Sequence, residues 1–181
     1  MHEFIKYPKT PRLFRDIIVT EKLDGTNAQI VIDNGFVAAG SRNRWITPDD
    51  DNYGFARWVS DNAEQLNKIL GPGRHFGEWW GQGIQRGYGL QEKRFSLFNV
   101  GHWGDHSTED TKIADLLYTV PILYEGVFDM FHLEATKDHL MYTGSHAAPG
   151  FMQPEGYIVY HTAGNHTYKV LLENDNKPKG E

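Results

Sequence analysis

The sequence predicts one α+β domain whose sheets are mainly antiparallel. Short segments with strand-like alternation outnumber helical ones, and hairpin turns rather than helices connect several of them. No repeat, linker or low-complexity block divides the 181 residues, a length that suits a single domain. We therefore expect residues 1–173 to form one domain and the polar residues 174–181 to form a tail.

The first half of the chain contains three predicted strands and one predicted helix. The strands are residues 16–23, 27–33 and 36–41. Residues 33–35, Asp-Asn-Gly, give a strong hairpin turn between the last two strands. Apolar residues then recur at helical spacing over 53–70, after three aspartates that could cap a helix, and the Gly-Pro-Gly at 71–73 ends it.

The second half adds strands around a glycine-rich loop. The strands are residues 75–80, 94–100, 121–129, 155–161 and 166–173. The loop, residues 81–89, lets the backbone approach a ligand or simply turn. Ser107 with Asp110 three residues later predicts a helix start for residues 107–117, and a further helix is expected within 129–142.

The composition excludes several classes of protein. With 39% hydrophobic and 13% aromatic residues, the chain should fold rather than remain disordered. The absence of cysteine excludes disulfides and thiolate sites and fits a cytoplasmic protein. A net charge of -6 argues against a protein that coats nucleic acid electrostatically. No membrane span is expected, because the most apolar stretch is short and contains Pro121.

Lys22 stands where the first strand ends, in the stretch EKLDGTN. A lysine amine attacks only when deprotonated, so a catalytic lysine needs burial or nearby positive charge. Arg42 and Arg44 follow the hairpin and could fold back towards Lys22. Asp24 could orient the site or hold a metal, and Gly25 permits close approach to a phosphate. By itself the pattern describes a surface lysine at a strand end equally well.

The stretches FGEWWGQG, FSLFNV, EGYIVY and YKVLLE follow KLDG in that order. This ordered set resembles the covalent nucleotidyltransferases, the superfamily of polynucleotide ligases and capping enzymes, and is most similar to ATP-dependent RNA ligases of the phage T4 RNA ligase 2 type. The resemblance covers residues 17–173. It implies the adenylation-domain fold of the DNA and RNA ligases, which is ATP-grasp-like, with mainly antiparallel sheets framing a nucleotide cleft.

The resemblance also assigns roles to the matching residues. Lys22 would attack the α-phosphate of ATP to form a lysyl-AMP, with Asp24 as a second catalytic residue and Lys169 as a third, in contact with the α-phosphate. Contacts to the nucleotide would come from Glu21, Lys22, Arg42, Glu78, Phe98, Glu155 and Lys169. Of these, Glu78 would bind the ribose hydroxyls and Glu155 would hold Mg²⁺.

Simpler structural roles compete with several of these assignments. Phe98 would stack on the adenine according to the resemblance, whereas an aromatic residue on a strand is otherwise expected in the core. Glu155 and Lys169 could form an ordinary ion pair between strands. If the last hairpin turns at Ala163, then Glu155, Tyr157, Thr167 and Lys169 face the same side of the sheet, and a slip of one residue would separate them.

Three departures from the family pattern concern charge and size. Thr167 stands where the last motif usually has a lysine, a loss that Arg86 or His166 could offset. Asn99 replaces an acidic residue that often follows the stacking aromatic. No strand-gripping accessory domain is expected, so RNA affinity is expected to come from the domain's own surface or from a separate partner protein. His102 and His106 are expected in a polar loop rather than in a zinc site.

The function implied is an ATP- and Mg²⁺-dependent RNA ligase that adenylates a 5′-phosphate end and joins it to a 3′-hydroxyl. Its partners would be RNA ends or a nicked RNA duplex, in RNA repair in the cytoplasm of a bacterial host or encoded by a phage. A DNA ligase or guanylyltransferase of the same superfamily is the first alternative. The second is a noncatalytic module that binds nucleotides or nucleic-acid ends.

Overall fold

Two antiparallel-rich sheets form the centre of the protein, and helices cover their outer faces. The computed structural model describes residues 2–108 and 110–177. The strands are β1 (Asp16–Lys22), β2 (Thr26–Asp33), β3 (Phe36–Ser41), β4 (Trp45–Ile46), β5 (Gly73–Gly81), β6 (Lys93–Leu97), β7 (Lys112–Ala114), β8 (Leu117–Thr119), β9 (Ile122–Val127), β10 (Gly156–His161) and β11 (His166–Leu171). The helices are α1 (Phe55–Asp61), α2 (Ala63–Leu70), α3 (Val100–Trp103) and α4 (Met130–Thr143). The predicted α+β class is confirmed.

The smaller sheet, called sheet A, has the strand order β11-β10-β1-β9, and the larger one, sheet B, has the order β4-β3-β2-β5-β6-β8-β7. Adjacent strands are antiparallel except for the parallel pair β6 and β8. The short connection after β1 leads directly into β2, so the chain passes from sheet A to sheet B immediately after Lys22. This crossing brings the end of β1 next to sheet B.

Three apolar clusters hold the layers together. One, which includes Phe55, Leu66 and Phe95, packs α1 and α2 onto the outer face of sheet B. A second, built around Trp80, lies between the two sheets. The third joins sheet A to α4 through residues such as Leu140. We use the word cleft for the space between the inner faces of the two sheets beside the cluster around Trp80.

The predicted helix over 53–70 is two helices, with a break at Asn62. The Asn62 side chain donates a hydrogen bond from Nδ2 to the Trp58 carbonyl oxygen at 2.7 Å, and its backbone lies outside the helical region. Asparagine competes in this way with the helical hydrogen-bond pattern. Of the three candidate caps, Asp51 accepts hydrogen bonds from the backbone N–H groups of Ala56 and Arg57.

The predicted helix over 107–117 is wrong. Strands β7 and β8 occupy part of this segment, and Glu109 lies outside the described residues. The side chain of Asp105 accepts a hydrogen bond from the Ser107 N–H, and the side chain of Asp110 accepts one from the Lys112 N–H. These local turns satisfy the donors that a helix start would have used, which explains why the apparent capping pattern misled.

The last hairpin has residues 162–165 as its loop, because His161 is paired with His166. The centre of the turn therefore lies between Ala163 and Gly164, whereas the sequence predicted a turn centred on Ala163. Lys169 is paired with Ile158 and not with Tyr157. Tyr157 therefore lies on the face covered by α4, where its hydroxyl donates to the Leu133 carbonyl oxygen at 3.1 Å. The prediction that Tyr157 shares a face with Lys169 is wrong because a shift of one residue reverses the face.

In the described parts of the chain, 2–108 and 110–177, no helix is both long and apolar enough to cross a membrane. The proposed domain limits, 1–173, and the tail, 174–181, stay predictions, and residues 178–181 of that tail lie outside the described residues.

Candidate active site

Lys22 is the last residue of β1 and points into the cleft between the sheets. Successive strand residues face opposite sides, so Glu21 and Lys22 diverge. The Lys22 side chain is 24% exposed, whereas Glu21 is 1% exposed. The end of β1 therefore presents an accessible amine on its cleft face.

Glu155 is the direct partner of Lys22. The Lys22 Nζ donates to Glu155 Oε2 at 2.6 Å, and the carboxylate side chain is 18% exposed. Glu155 precedes β10, whose first residue, Gly156, is paired with Lys22. Because β1 and β10 are neighbours in sheet A, backbone pairing fixes the position of this half-buried ion pair.

Gly25 explains why KLDG ends in glycine. A Cβ at this position would lie 2.4 Å from the Trp79 carbonyl oxygen and 2.7 Å from the Trp80 Cβ, closer than any real side chain. The missing side chain lets the connection between the sheets pack against β5. There the Gly25 N–H donates to Glu78 Oε1 at 3.1 Å. In this structure the glycine therefore permits contact with β5.

The pKa of the Glu78 carboxyl is shifted by its burial and by charged groups of both sheets. Burial raises the pKa of Glu78 to about 7, although Lys22, the Gly25 N–H and Arg42 each act to lower it. The neighbouring carboxylate of Glu155 raises it further. These influences show that the charged groups of both sheets act on one another across the cleft.

Phe98 lies on the cleft face of sheet B and is 38% exposed, so the alternative of a core position is wrong. It follows β6, where Ser96 is paired with Glu78. By strand alternation Phe98 faces the same side as Ser96 and Glu78. Arg42, which follows β3, is also exposed, and its charge acts on Glu78.

Asp24 is held by Arg86 from the glycine-rich loop. The Arg86 Nε donates to Asp24 Oδ2 at 2.9 Å, and its Nη1 donates to the carbonyl oxygens of Gln153 at 2.8 Å and Pro154 at 3.2 Å. The backbone N–H of Asp24 donates to the hydroxyl of Tyr88 at 2.8 Å. Burial raises the pKa of that hydroxyl, which keeps it protonated. Arg86 thus ties the segment after Lys22 to the segment before Glu155.

Lys169 shares the cleft face of sheet A with Lys22. Lys22 is paired with Gly156 on β10, and Lys169 is paired with Ile158 two residues further along the same strand. Paired residues and residues two apart face the same side. Lys169 is exposed on β11, and it lies two strands away from Lys22.

Glu21 requires a correction, because its side chain does not reach the cleft. Glu21 Oε2 accepts hydrogen bonds from the backbone N–H groups of His146 at 2.8 Å and Ala147 at 3.0 Å. Burial raises the pKa of this carboxyl, and the hydrogen bonds act against that rise. The Glu21 side chain supports the loop after α4 from the far face of β1.

Two further residues, Arg44 and His166, do not lie where the sequence-based expectations placed them. Arg44 is bound by Asp50 through its guanidinium and is not directed at Lys22. His166 is paired with His161 and faces the side of sheet A opposite to Lys169. Neither His166 nor Arg86, which is engaged with Asp24, is free to replace the missing cation at Thr167.

The carboxylates near Lys22 fit a magnesium ion that arrives with phosphates. Mg²⁺ is usually bound by one or two protein carboxylates together with substrate phosphates and water. Glu155 supplies such a carboxylate next to Lys22. Within residues 2–108 and 110–177, no three His, Asp or Glu side chains group closely enough to hold an ion by themselves.

The family model described as RNA ligase matches residues 15–171 of this chain. The chain belongs to the RNA ligase family. The match spans both walls of the cleft, from the residue before β1 to the end of β11. A search of curated proteins finds no match.

Solved structures of the Naegleria gruberi RNA ligase have a similar fold. A variant with ATP and Mn gives a TM-score of 0.56 at 19% identity, over 86% of this chain and 48% of that chain. Another variant with ATP and Mn gives 0.61 at 18% identity, over 89% and 51%. The same ligase with PPi gives 0.55 at 18% identity, over 94% and 57%. This RNA ligase family member thus spans about half the length of the chains it matches.

Sequence reasoning missed the structural roles of Arg86 and Tyr88. Both come from the loop between β5 and β6, and both bind Asp24. The signal in the sequence was the loop itself, because a run of glycines with one arginine and one tyrosine is typical of a segment that folds over a site. The partners could not be deduced, since they lie more than sixty residues away.

Proposed function

We propose that this protein is an ATP-dependent RNA ligase that works through a lysyl-AMP intermediate. The observation that carries the proposal is the position of Lys22, an accessible amine that contacts Glu155 within a cleft also lined by Glu78 and Phe98. Membership of the RNA ligase family supports the polynucleotide as the substrate class. The match in motif order favours the T4 RNA ligase 2 type within that family.

In the first step Lys22 forms a bond from Nζ to the α-phosphorus of ATP, and the bond to pyrophosphate breaks. Pyrophosphate leaves with the bonding electron pair. The ammonium of Lys22 loses two protons to become the phosphoramidate. Glu155 Oε2, at 2.6 Å, is placed to accept the first, and the second passes to solvent. Lys169 and Arg42 stabilise the charge that spreads over the phosphoryl oxygens.

The nucleotide itself would be bound mainly by sheet B. Phe98 stacks on the adenine through its exposed ring, and Glu78 accepts hydrogen bonds from the ribose hydroxyls. Asp24, fixed by Arg86, orients the segment that carries Lys22. Glu155 would hold Mg²⁺, which would supply further charge neutralisation during phosphoryl transfer.

In the next two steps AMP passes to a 5′-phosphate end, and a 3′-hydroxyl attacks that activated phosphate with release of AMP. Such chemistry seals RNA ends or nicks, as in RNA repair, and a cytoplasmic site in a bacterium or its phage suits it. A separate partner protein could add affinity for the strand. The residues 1–173 would act as one adenylation domain.

Three other functions predict different results in one experiment. A guanylyltransferase would use GTP, and a DNA ligase would prefer DNA ends. A noncatalytic binding module is favoured by one observation, the exposed Thr167 in place of a cation on the cleft face. It would bind nucleotide without forming a covalent bond.

The test is incubation with Mg²⁺ and ATP labelled at the α-phosphate, followed by denaturation. We expect label to remain on the protein with ATP and not with labelled GTP. Addition of 5′-phosphorylated RNA should then move the label to RNA, and less efficiently to DNA of the same sequence. Protein that is folded and free of bound AMP yet acquires no label would contradict the proposal and favour a binding module.

A further inference from the structure

A row of exposed aromatic rings crosses the inner face of sheet B outside the cluster around Trp80. Trp45 on β4 is paired with Gly40, Gly40 with Gln29, and Gln29 with Phe76. The Phe98 N–H donates to the Phe76 carbonyl oxygen at 3.0 Å and continues the row. Trp45, Phe76 and Phe98 are 55%, 45% and 38% exposed. We call Trp45, Arg74 and Phe76 the aromatic platform.

The Arg74 guanidinium contacts two rings of this row, Trp45 and Phe76. Its guanidinium carbon lies 5.6 Å from the centre of the Trp45 ring and 6.0 Å from that of Phe76. Arg74 also donates a hydrogen bond to the side-chain oxygen of Gln29. Gly40 contributes no side chain, and a Cβ there would lie 2.9 Å from Gln29 Cγ. The platform is therefore flat, cationic and fixed by its own contacts.

The platform continues directly from the nucleotide site. Phe76 and Glu78 lie on the same face of β5 two residues apart, about 7 Å along the strand. From Trp45 to Phe76 the platform crosses four neighbouring strands, which corresponds to about 14 Å. That distance equals the rise of about four stacked nucleotides in a single strand.

We propose that the aromatic platform binds the unpaired bases of the polynucleotide strand beside the end that is joined, an inference that rests on the proposed ligase function. Aromatic faces stack on any base, and guanidinium groups bind phosphates and stack on rings. Arg74 and Arg42 place positive charge on this face of a chain whose net charge is -6. A nucleic-acid strand suits that charge better than a second copy of the acidic chain does.

The test measures binding of a twelve-nucleotide single-stranded RNA, labelled with fluorescein, by fluorescence anisotropy. Variants of the full chain are Trp45→Ala, Trp45→Phe, Phe76→Ala and Arg74→Ala, each checked for folding by thermal unfolding. Tyr142→Ala, which removes an 83% exposed ring from α4 behind sheet A, is the matched control. DNA of the same sequence separates recognition of bases from recognition of ribose.

We expect Trp45→Ala, Phe76→Ala and Arg74→Ala each to weaken RNA binding about tenfold, with Tyr142→Ala unchanged. Trp45→Phe should retain the affinity, because a ring remains. Unlabelled RNA should quench tryptophan emission in the wild type and quench it much less in Trp45→Phe, since Trp45 is the most exposed of the five tryptophans. Similar losses with DNA would show that stacking on bases carries the interaction.

Unchanged RNA affinity in folded Trp45→Ala and Phe76→Ala would overturn the inference. So would a wild-type dimer in sedimentation that Trp45→Ala converts to a monomer without loss of RNA affinity, because the platform would then be a protein interface. Covalent labelling by ATP tests the proposed function separately. A labelled protein with RNA affinity independent of the platform leaves that function intact, whereas an unlabelled protein contradicts it.

Discussion

The two walls of the cleft contribute different kinds of group. The sheet A wall presents ionisable side chains, Lys22, Glu155 and Lys169, on neighbouring strands whose pairing sets their positions. The sheet B wall presents an exposed ring, Phe98, beside a half-buried carboxyl, Glu78. On the proposed function, sheet A would perform the bond exchange and sheet B would recognise the nucleotide.

Two hydrogen-bonded connections between the walls lie close to Lys22. The Gly25 N–H donates to Glu78, and Arg86 links Asp24 to the backbone before Glu155. Variants of the sheet A wall should therefore change the chemical step, and variants of the sheet B wall should change nucleotide affinity. Variants of the connections between the walls should change both.

The largest effect is expected from Lys22→Ala, which removes the proposed nucleophile. Labelling by ATP should be abolished, while nucleotide affinity falls little, because sheet B remains intact. Stability should change by no more than about 1 kcal/mol, since the ion pair with Glu155 is half-buried. The control is Lys112→Ala, which breaks an exposed ion pair with Asp115 and should label normally. Retained labelling in Lys22→Ala would refute the assignment.

Phe98→Ala should weaken binding of an unreactive ATP analogue about tenfold, because a stacking surface for adenine is lost. The rate of labelling at saturating ATP should stay within about threefold of the wild type if sheet B recognises the nucleotide and sheet A carries the chemistry. Phe98→Tyr keeps the ring and should bind as the wild type does. Calorimetry on the three proteins decides the point, and equal affinity for all three would show that Phe98 does not contact the nucleotide.

Glu78→Gln should remove a pH dependence of stability. Burial raises the pKa of Glu78 to about 7 in the folded protein, above its value of 4.5 when unfolded. The folded state therefore holds a proton that the unfolded state releases, so stability from this group is present below pH 4.5 and is lost as pH rises through 7. As pH rises across this range, the stability of the glutamine variant should increase by about 3 kcal/mol relative to the wild type.

The measurement for Glu78→Gln is urea unfolding at acid and alkaline pH. Glu134→Gln, on the exposed side of α4, is the matched control and should show no such gain. A gain that is equal at both pH values would show that Glu78 keeps its ordinary pKa. Adding Lys22→Ala should raise the pKa of Glu78 further, because Lys22 acts to lower it.

Arg86→Ala should lower stability by about 1 kcal/mol, since Arg86 is partly exposed and its hydrogen bonds compete with water. Labelling should slow more than stability suggests, because Asp24 and the segment before Glu155 lose their common support. Arg57→Ala removes an exposed arginine that contacts Pro48 and serves as the control. If Arg86→Ala labels at the wild-type rate, the two segments do not need this connection.

The strands and their turns were predictable because the information is local. Alternation in residues 27–33 and 36–41 and the Asp-Asn-Gly turn specify β2, β3 and their hairpin without reference to the rest of the chain. The KLDG motif marks the end of β1 at Lys22, and its glycine is required by close packing on β5. Such constraints leave a direct record in the sequence.

Features that depend on distant contacts were not predictable. The register that sets the faces of Tyr157 and Lys169 depends on a turn that is uncertain by one residue. The Glu21 side chain points away from the cleft, where it accepts hydrogen bonds from the backbone N–H groups of His146 and Ala147. These partners lie more than a hundred residues away in the sequence. The capping pattern at Ser107 was satisfied by local turns in place of a helix.

The most direct test of the account is to map the adduct itself. Protein incubated with ATP and Mg²⁺ is digested under conditions that preserve phosphoramidates, and the peptides are sequenced by tandem mass spectrometry. The account predicts one AMP per chain, attached to Lys22 and lost on addition of pyrophosphate. AMP on another residue, or no adduct in folded protein free of bound nucleotide, would contradict the assignment of Lys22 as the nucleophile.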